Sequence, residues 1–364
     1  MRVLLVGGGE ALGRTLARRL LACPPVEHVL AAEPLGGCAH APHPRLGRLS
    51  VPLARPRSVR DLIFDTARDA GIDTVVNAVM HGGPLVPRGP ATGPEHAAFT
   101  RLLLASVEGL EGARRFVHLS AAAVYRVGPD QPSIVTTAHP LDFSAGASGR
   151  TRALVEADLA VCARMGLSRV DMIVLRLAPL GLPRALEERA RAWSLRALGH
   201  DPMSERLSLT GAADAVCLAL QEGGIGVRHA AGSDVRPRSH ASARDLPVPG
   251  PLLPLLLRLQ GWRRSFPAEP EDPLRAVWSA VLEPTRPDLA GPEGRTPGDP
   301  AHAPARGAGS RAWERRATTN ETHAPPRGRA SAQARPPCAS AMRRTSESPS
   351  PSEPALAPAR RSPR

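Results

Sequence analysis

The sequence predicts an α/β chain: a doubly wound parallel sheet, a small C-terminal subdomain and a disordered tail. Three observations carry that expectation. Residues 2–33 read as strand, glycine turn, helix and second strand. Short apolar runs then alternate with helical patterns as far as Leu282, which is how parallel strands joined by crossover helices appear in a sequence. Composition breaks near Gly291, beyond which Trp313, Met342 and Leu356 are the whole inventory of large apolar side chains.

The first strand is Arg2-Val3-Leu4-Leu5-Val6, an uninterrupted apolar run that needs cover on both faces. Gly7-Gly8-Gly9 follows and leads into a helix whose Leu12, Leu16 and Leu20 recur every four residues. Arg14, Arg18 and Arg19 fall on the opposite, solvent side of that helix. Pro24-Pro25 stops it, and Val26 to Ala32 forms the second strand, ending in Glu33. This arrangement suits a dinucleotide. A helix N-terminus aims free N–H groups at a pyrophosphate, and glycines let the backbone approach. An acid closing the second strand accepts hydrogen bonds from ribose hydroxyls, and Glu33 lies 20 residues past Gly13, where that acid is expected.

With these residues in view, the chain resembles the extended short-chain dehydrogenase/reductases, or NAD-dependent epimerase/dehydratases, and the resemblance continues downstream. Asp73-Thr74-Val75-Val76-Asn77-Ala78-Val79 is similar to the family's fourth strand, whose end, at Ala78, lies against the cofactor. Phe116 to Tyr125 resembles the fifth strand and its serine-rich turn, and His139-Pro140-Leu141 the loop after it. Arg152-Ala153-Leu154-Val155-Glu156 fits the helix bearing the catalytic pair, and Val174-Leu175-Arg176 the next strand. Leu207 to Asp214, Gly226 to Gly232, and Pro273 to Leu282 are similar to a strand–helix entry, a late strand and a closing helix. The resemblance implies a Rossmann-type domain over 1–291, its substrate side mainly 177–291. It also implies NAD as cofactor, a small-molecule substrate such as a nucleotide sugar, and a homodimer as one assembly.

Departures from the family pattern fall on its chemistry. Family members use a tyrosine as acid or base, a lysine four residues later, and a serine or threonine that polarises the substrate oxygen. Alignment on Glu156 puts the tyrosine position at Ser148 and the lysine position at Arg152, while alignment on Tyr125 puts the polarising serine at Ala121. All 47 Lys+Arg residues are Arg and Tyr125 is the single tyrosine, so no Tyr-x-x-x-Lys pair exists. Arginine can still hold ribose hydroxyls, which makes Arg152 a cofactor-binding candidate with Gly7, Gly8, Gly9, Gly13, Glu33 and Ala78. A serine hydroxyl lacks the acidity that brings a phenol near neutrality. The chain is therefore expected to bind NAD(P) without the usual proton transfer, as a ligand-sensing or binding module. The alternative is an active oxidoreductase, epimerase or dehydratase using Tyr125, Ser120 or His81 as proton donors. Glu33 favours NAD over NADP by repelling a 2′-phosphate, which Arg45 or Arg48 would offset. Glu10 stands where the family has its middle glycine, the adenine-side aspartate is Pro52, and a helical asparagine is His96.

The remaining composition sets bounds. Residues 292–364 carry 13 Arg against 6 acids, +7 of the formal +13, so the high isoelectric point belongs largely to the tail. Such a segment buries too little surface to offset its ordering entropy. With almost no aromatic residues it holds nucleic acid at most weakly, by counterion release. Cys23, Cys38, Cys162, Cys217 and Cys338 form no C-x-x-C pair, which argues against a disulfide framework or zinc site and fits a reducing cytoplasm. Cys38, His40 and His43 give only loose metal-like spacing, and no metal is expected. No signal peptide opens the chain, and Leu252 to Leu259, broken by Pro254 and Arg258, cannot span a bilayer.

Overall fold

The computed structural model describes residues 1–7, 11–34, 42–81, 85, 93–128, 131–181, 194–237, 239, 245–249, 252, 255–256 and 281–284. All belong to the compact unit Met1–Gly298, while Asp299–Arg364 forms a second unit. The expected tail, 292–364, lies outside the described residues.

The first strand, β1 (Arg2–Val6), is buried on both faces from Val3 onward. Helix α1 (Ala11–Ala22) lays Leu12, Leu16 and Leu20 on the core and leaves Arg18 and Arg19 exposed. β2 (His28–Glu33) and β3 (Leu46–Ser50) follow. Pro56 opens α2 (Pro56–Asp61), which runs on through a wider helical turn, Leu62–Ala67. Proline suits that place because its missing N–H would be unpaired there anyway. β4 (Thr74–Asn77), α3 (Pro94–Gly109) and β5 (Arg115–Ala121) repeat the strand–helix alternation. α4 (Gly149–Cys162), β7 (Asp171–Leu177), α5 (Leu209–Glu222) and β10 (Gly226–Ala230) complete it.

These seven strands form one sheet in the order β10-β7-β5-β4-β1-β2-β3, and every pairing is parallel. It is a doubly wound Rossmann-type sheet, as the sequence predicts. Connections leave β1 towards β2 on one side, and the chain crosses to β4 on the other. That reversal opens a crevice at the carboxyl ends of β1 and β4, where such sheets bind ligands.

Beyond β5 three small pairings build the C-terminal part. β6 (Ile134–Val135) pairs with β13 (Val281–Leu282), β8 (Ser194–Ala197) with β12 (Asp245–Val248), and β9 (Met203–Arg206) with β11 (Asp234–Pro237). One local expectation changes here. Val281-Leu282 is a strand rather than the end of a helix, because its N–H groups serve Ser133 and Glu205 instead of a helical ladder. Pro247-Val248 closes β12.

Candidate functional site

At the tip of β1, Gly7 has φ +89 and donates its N–H to the Ala32 carbonyl at 3.0 Å. A Cβ there would lie 2.8 Å from Val79 N, so only glycine lets β1 and β4 end this close together. Gly13 is buried where α1 meets the sheet, and Ala78 is buried beside the crevice. Glu33 is buried at the end of β2, and its carbonyl accepts the Val51 N–H at 2.8 Å. Gly8, Gly9 and Glu10 lie outside the described residues. Arg45 donates from Nη1 to the Val26 carbonyl at 3.1 Å and from Nη2 to the Leu21 carbonyl. Its guanidinium is therefore committed to pinning the end of α1.

Next to the crevice a polar row crosses the sheet. Ser120 on β5, Arg176 on β7 and His229 on β10 lie side by side in register. Asp158, from the buried face of α4, accepts Ser120 Oγ at 2.7 Å, Arg176 Nη2 at 2.7 Å and Arg176 Nε at 3.0 Å. Arg176 Nη1 donates to the Tyr125 hydroxyl at 2.7 Å, and its guanidinium lies 4.9 Å from the centre of that ring. The same hydroxyl bonds His229 Nε2, whose Nδ1 reaches the Glu283 carbonyl at 2.8 Å. Burial opposes the charge on Asp158, but Arg176 and Ser120 outweigh it and hold the carboxyl below its ordinary range. Burial raises the Tyr125 phenol despite Arg176. Ser120 and Tyr125 thus spend their hydroxyls inside the protein, and Tyr125 is only 1% exposed.

A second buried cluster adjoins the row. Asn77 Nδ2 donates to Thr100 Oγ1 at 3.1 Å and to His118 Nδ1 at 3.2 Å, while its Oδ1 accepts the Val79 N–H. Burial brings His118 down to about 4. His81, partly buried after β4, bonds the Ser120 carbonyl through Nε2 at 3.0 Å. That acceptor places the ring proton on Nε2, and burial pushes the pKa down to about 4. His96 is buried, and its Nδ1 accepts the Gly93 N–H at 3.2 Å.

Ser148 is the N-cap of α4. Its Oγ accepts the Thr151 N–H at 3.0 Å and donates to Thr151 Oγ1 at 3.0 Å. Arg152 is exposed one turn along the helix, and Glu156 makes a surface ion pair with Arg101 at 3.2 Å. Cys38 and His40 fall outside the described residues, among which no group of His, Cys, Asp and Glu is arranged for a metal ion. Among those residues, no helix is long and apolar enough to cross a membrane.

Solved structures provide the comparison. WbmG of Bordetella bronchiseptica, in complex with NAD and UDP, superposes with TM-score 0.53 at 17% identity over 78% of this chain and 85% of its own. A dTDP-glucose 4,6-dehydratase of Bacillus anthracis in complex with NAD gives 0.53 at 15% identity, over 68% and 84%. A short-chain dehydrogenase/reductase superfamily protein of Agrobacterium tumefaciens with bound NAD gives 0.52 at 16%, over 69% and 86%. The fold is that of the extended short-chain dehydrogenase/reductases. No protein-family model matches the chain, and no curated protein sequence does. Within this fold, sequence reasoning missed Asp158, His229 and the pairing of Asn77 with His118. The available signal was a polar residue interrupting an apolar strand, as Arg176 and His118 both do.

Proposed function

We propose that the chain binds NAD in the crevice beside Gly7 and Glu33, and does not carry out proton transfer through the positions its fold relatives would use. The carrying observation is Ser148, whose hydroxyl is consumed as the cap of α4. Ala121, at the polarising position, has no hydroxyl to offer.

The described residues fit a dinucleotide. The Gly7 turn brings backbone, not side chain, to the crevice. In this reading Glu33, closing β2, takes ribose hydroxyls and Ala78 offers an apolar wall. Bound there, the cofactor supplies a nicotinamide able to accept or return hydride. Arg152, exposed on α4, is the group available to hold the nicotinamide-side ribose. Glu33 repels a 2′-phosphate, and with Arg45 tied to α1 that repulsion keeps much of its strength. NADPH is expected to bind at least tenfold more weakly than NADH.

The ligand class suggested by the relatives is a nucleotide sugar, since WbmG was captured with UDP and a dTDP-glucose 4,6-dehydratase shares the fold. In this reading the protein senses or presents such a ligand. A soluble, cytoplasmic, homodimeric protein is the setting proposed for it, and the tail adds at most weak nucleic-acid contact. A second reading rests on His81, which is not fully buried and lies after β4 by the crevice. It makes His81 the proton carrier of a surviving reaction. Incubation with NAD and UDP- or dTDP-sugars separates the two. Binding without reduced cofactor or altered sugar supports the first; turnover lost in His81→Ala supports the second and overturns the first.

A further inference from the structure

Helices α1 and α5 pack against each other on one face of the sheet, and their contact carries an unused pair of thiols. Cys23 follows the last residue of α1, and Cys217 lies in the middle of α5. Arg19 and Cys23 are four residues apart at the end of α1, while Asp214, Cys217 and Gln221 form one stripe of α5. The stripes meet in matching order. Arg19 Nε bonds Asp214, Gln221 Nε2 donates to Cys23 Sγ at 3.6 Å, and Cys217, between Asp214 and Gln221 on the stripe, falls beside Cys23.

Both sulfurs are buried, Cys23 at 4% and Cys217 at 8% exposure, and both are free thiols. The Arg19–Asp214 pair beside them is half-exposed. Nothing in the dinucleotide crevice or the buried polar row uses these thiols.

We infer that Cys23 and Cys217 are a redox-sensitive dithiol, closing to a disulfide between α1 and α5 when a disulfide oxidant such as oxidised glutathione is present. Thiols that face each other across a helix contact meet the first demand a disulfide makes, that the two side chains lie near one another. Burial and the neighbouring Cys23 thiol push Cys217 up to about 12, so Cys217 is assigned the second, resolving step, in which it gives up its proton as it attacks, and Cys23, at the end of α1, the first. The Cys23 sulfur, its proton lost to solvent, attacks one glutathione sulfur, breaks the glutathione disulfide and expels one glutathione thiolate. Cys217 then loses its proton, attacks the Cys23 sulfur of the mixed disulfide and expels the second glutathione thiolate. Two electrons pass from the protein thiols to glutathione, and the two protons end on the two glutathione thiols. A transient bridge of this kind is compatible with a reducing compartment, where cytosolic disulfides are mostly redox-sensing.

The test uses the full chain, incubated with excess oxidised glutathione, alkylated, cleaved after Arg and Glu, and mapped by mass spectrometry without reductant. Cleavage after Glu27 and Glu33 separates Cys23 from Cys38. The expected result is a Cys23–Cys217 linked peptide pair that dithiothreitol releases. Because the bridge closes a loop of about 190 residues, the oxidised chain should melt roughly 5–10 °C higher. That shift should vanish in both Cys217→Ser and Cys217→Ala. Recovery of both residues as alkylated thiols overturns the inference, as does Cys23 ending as a stable glutathione adduct or joined to another cysteine. The wild-type map decides it even where a variant fails to fold.

Discussion

Asp158 keeps its charge in the interior because Arg176 meets both of its carboxylate oxygens and Ser120 adds a third donor. Removing one partner leaves the other charge buried and alone. Asp158→Ala should therefore cost about 3–5 kcal/mol in urea unfolding, whereas Asp158→Leu combined with Arg176→Met should cost clearly less. Glu205 behaves differently. It is buried on β9 with no cation paired to it among the described residues, its Oε2 accepting the Gly232 N–H at 3.0 Å and its Oε1 the Leu282 N–H at 2.7 Å. Burial raises its pKa to about 7, against those two hydrogen bonds. The folded chain thus holds a proton that the unfolded chain has released. Its stabilising effect is complete below the ordinary value near 4.5 and is lost as pH rises towards 7. Unfolding free energy should fall by about 3 kcal/mol across that window, and Glu205→Gln should flatten the slope. None of these pairings was legible in the sequence. A partner is found by register and helix approach, and Ser120, Asp158, Arg176 and His229 are scattered over about 110 residues of chain.

At the level of elements, α4 shows that the family resemblance assigns positions and leaves their roles open. Glu156 fixes the alignment, and the position it assigns to the tyrosine becomes a helix cap. Ser148→Ala should cost about 1 kcal/mol of stability with no change in NADH affinity. Loss of affinity in a folded Ser148→Ala chain would argue that the hydroxyl meets the ligand instead. The glycine turn is the opposite case, since its conformation is dictated by close approach. Gly7→Ala combines positive φ with a Cβ pressed on the Ala78-Val79 backbone just past β4, and should cost about 2 kcal/mol or more in thermal or urea unfolding. β1, β2, β4, β5 and β7 were readable because both-face burial gives continuous apolar runs, and α1 because it shows its stripe; β3, a half-exposed LGRLS, and α2 carry no such run. The short pairings were not readable either. β6 and β13 are two residues each, paired across nearly 150 positions of sequence, and two residues carry no periodicity.

For the whole molecule, strand order and crevice follow from alternating strands and helices, which is why the sheet was predictable without any single strong motif. The chemistry was less so, because it depends on which side chains the crevice keeps and which the core absorbs. Tyr125 and Ser120 looked available in the sequence and are built into the interior. The central claim is that the crevice still takes the cofactor. The most direct measurement is a fluorescence titration of NADH into the full chain at neutral pH, paired with NADPH. The account predicts saturable NADH binding, weaker NADPH binding, and a higher melting temperature with ligand. Absence of binding at millimolar NADH, with the chain folded, would contradict it and leave the fold without its ligand.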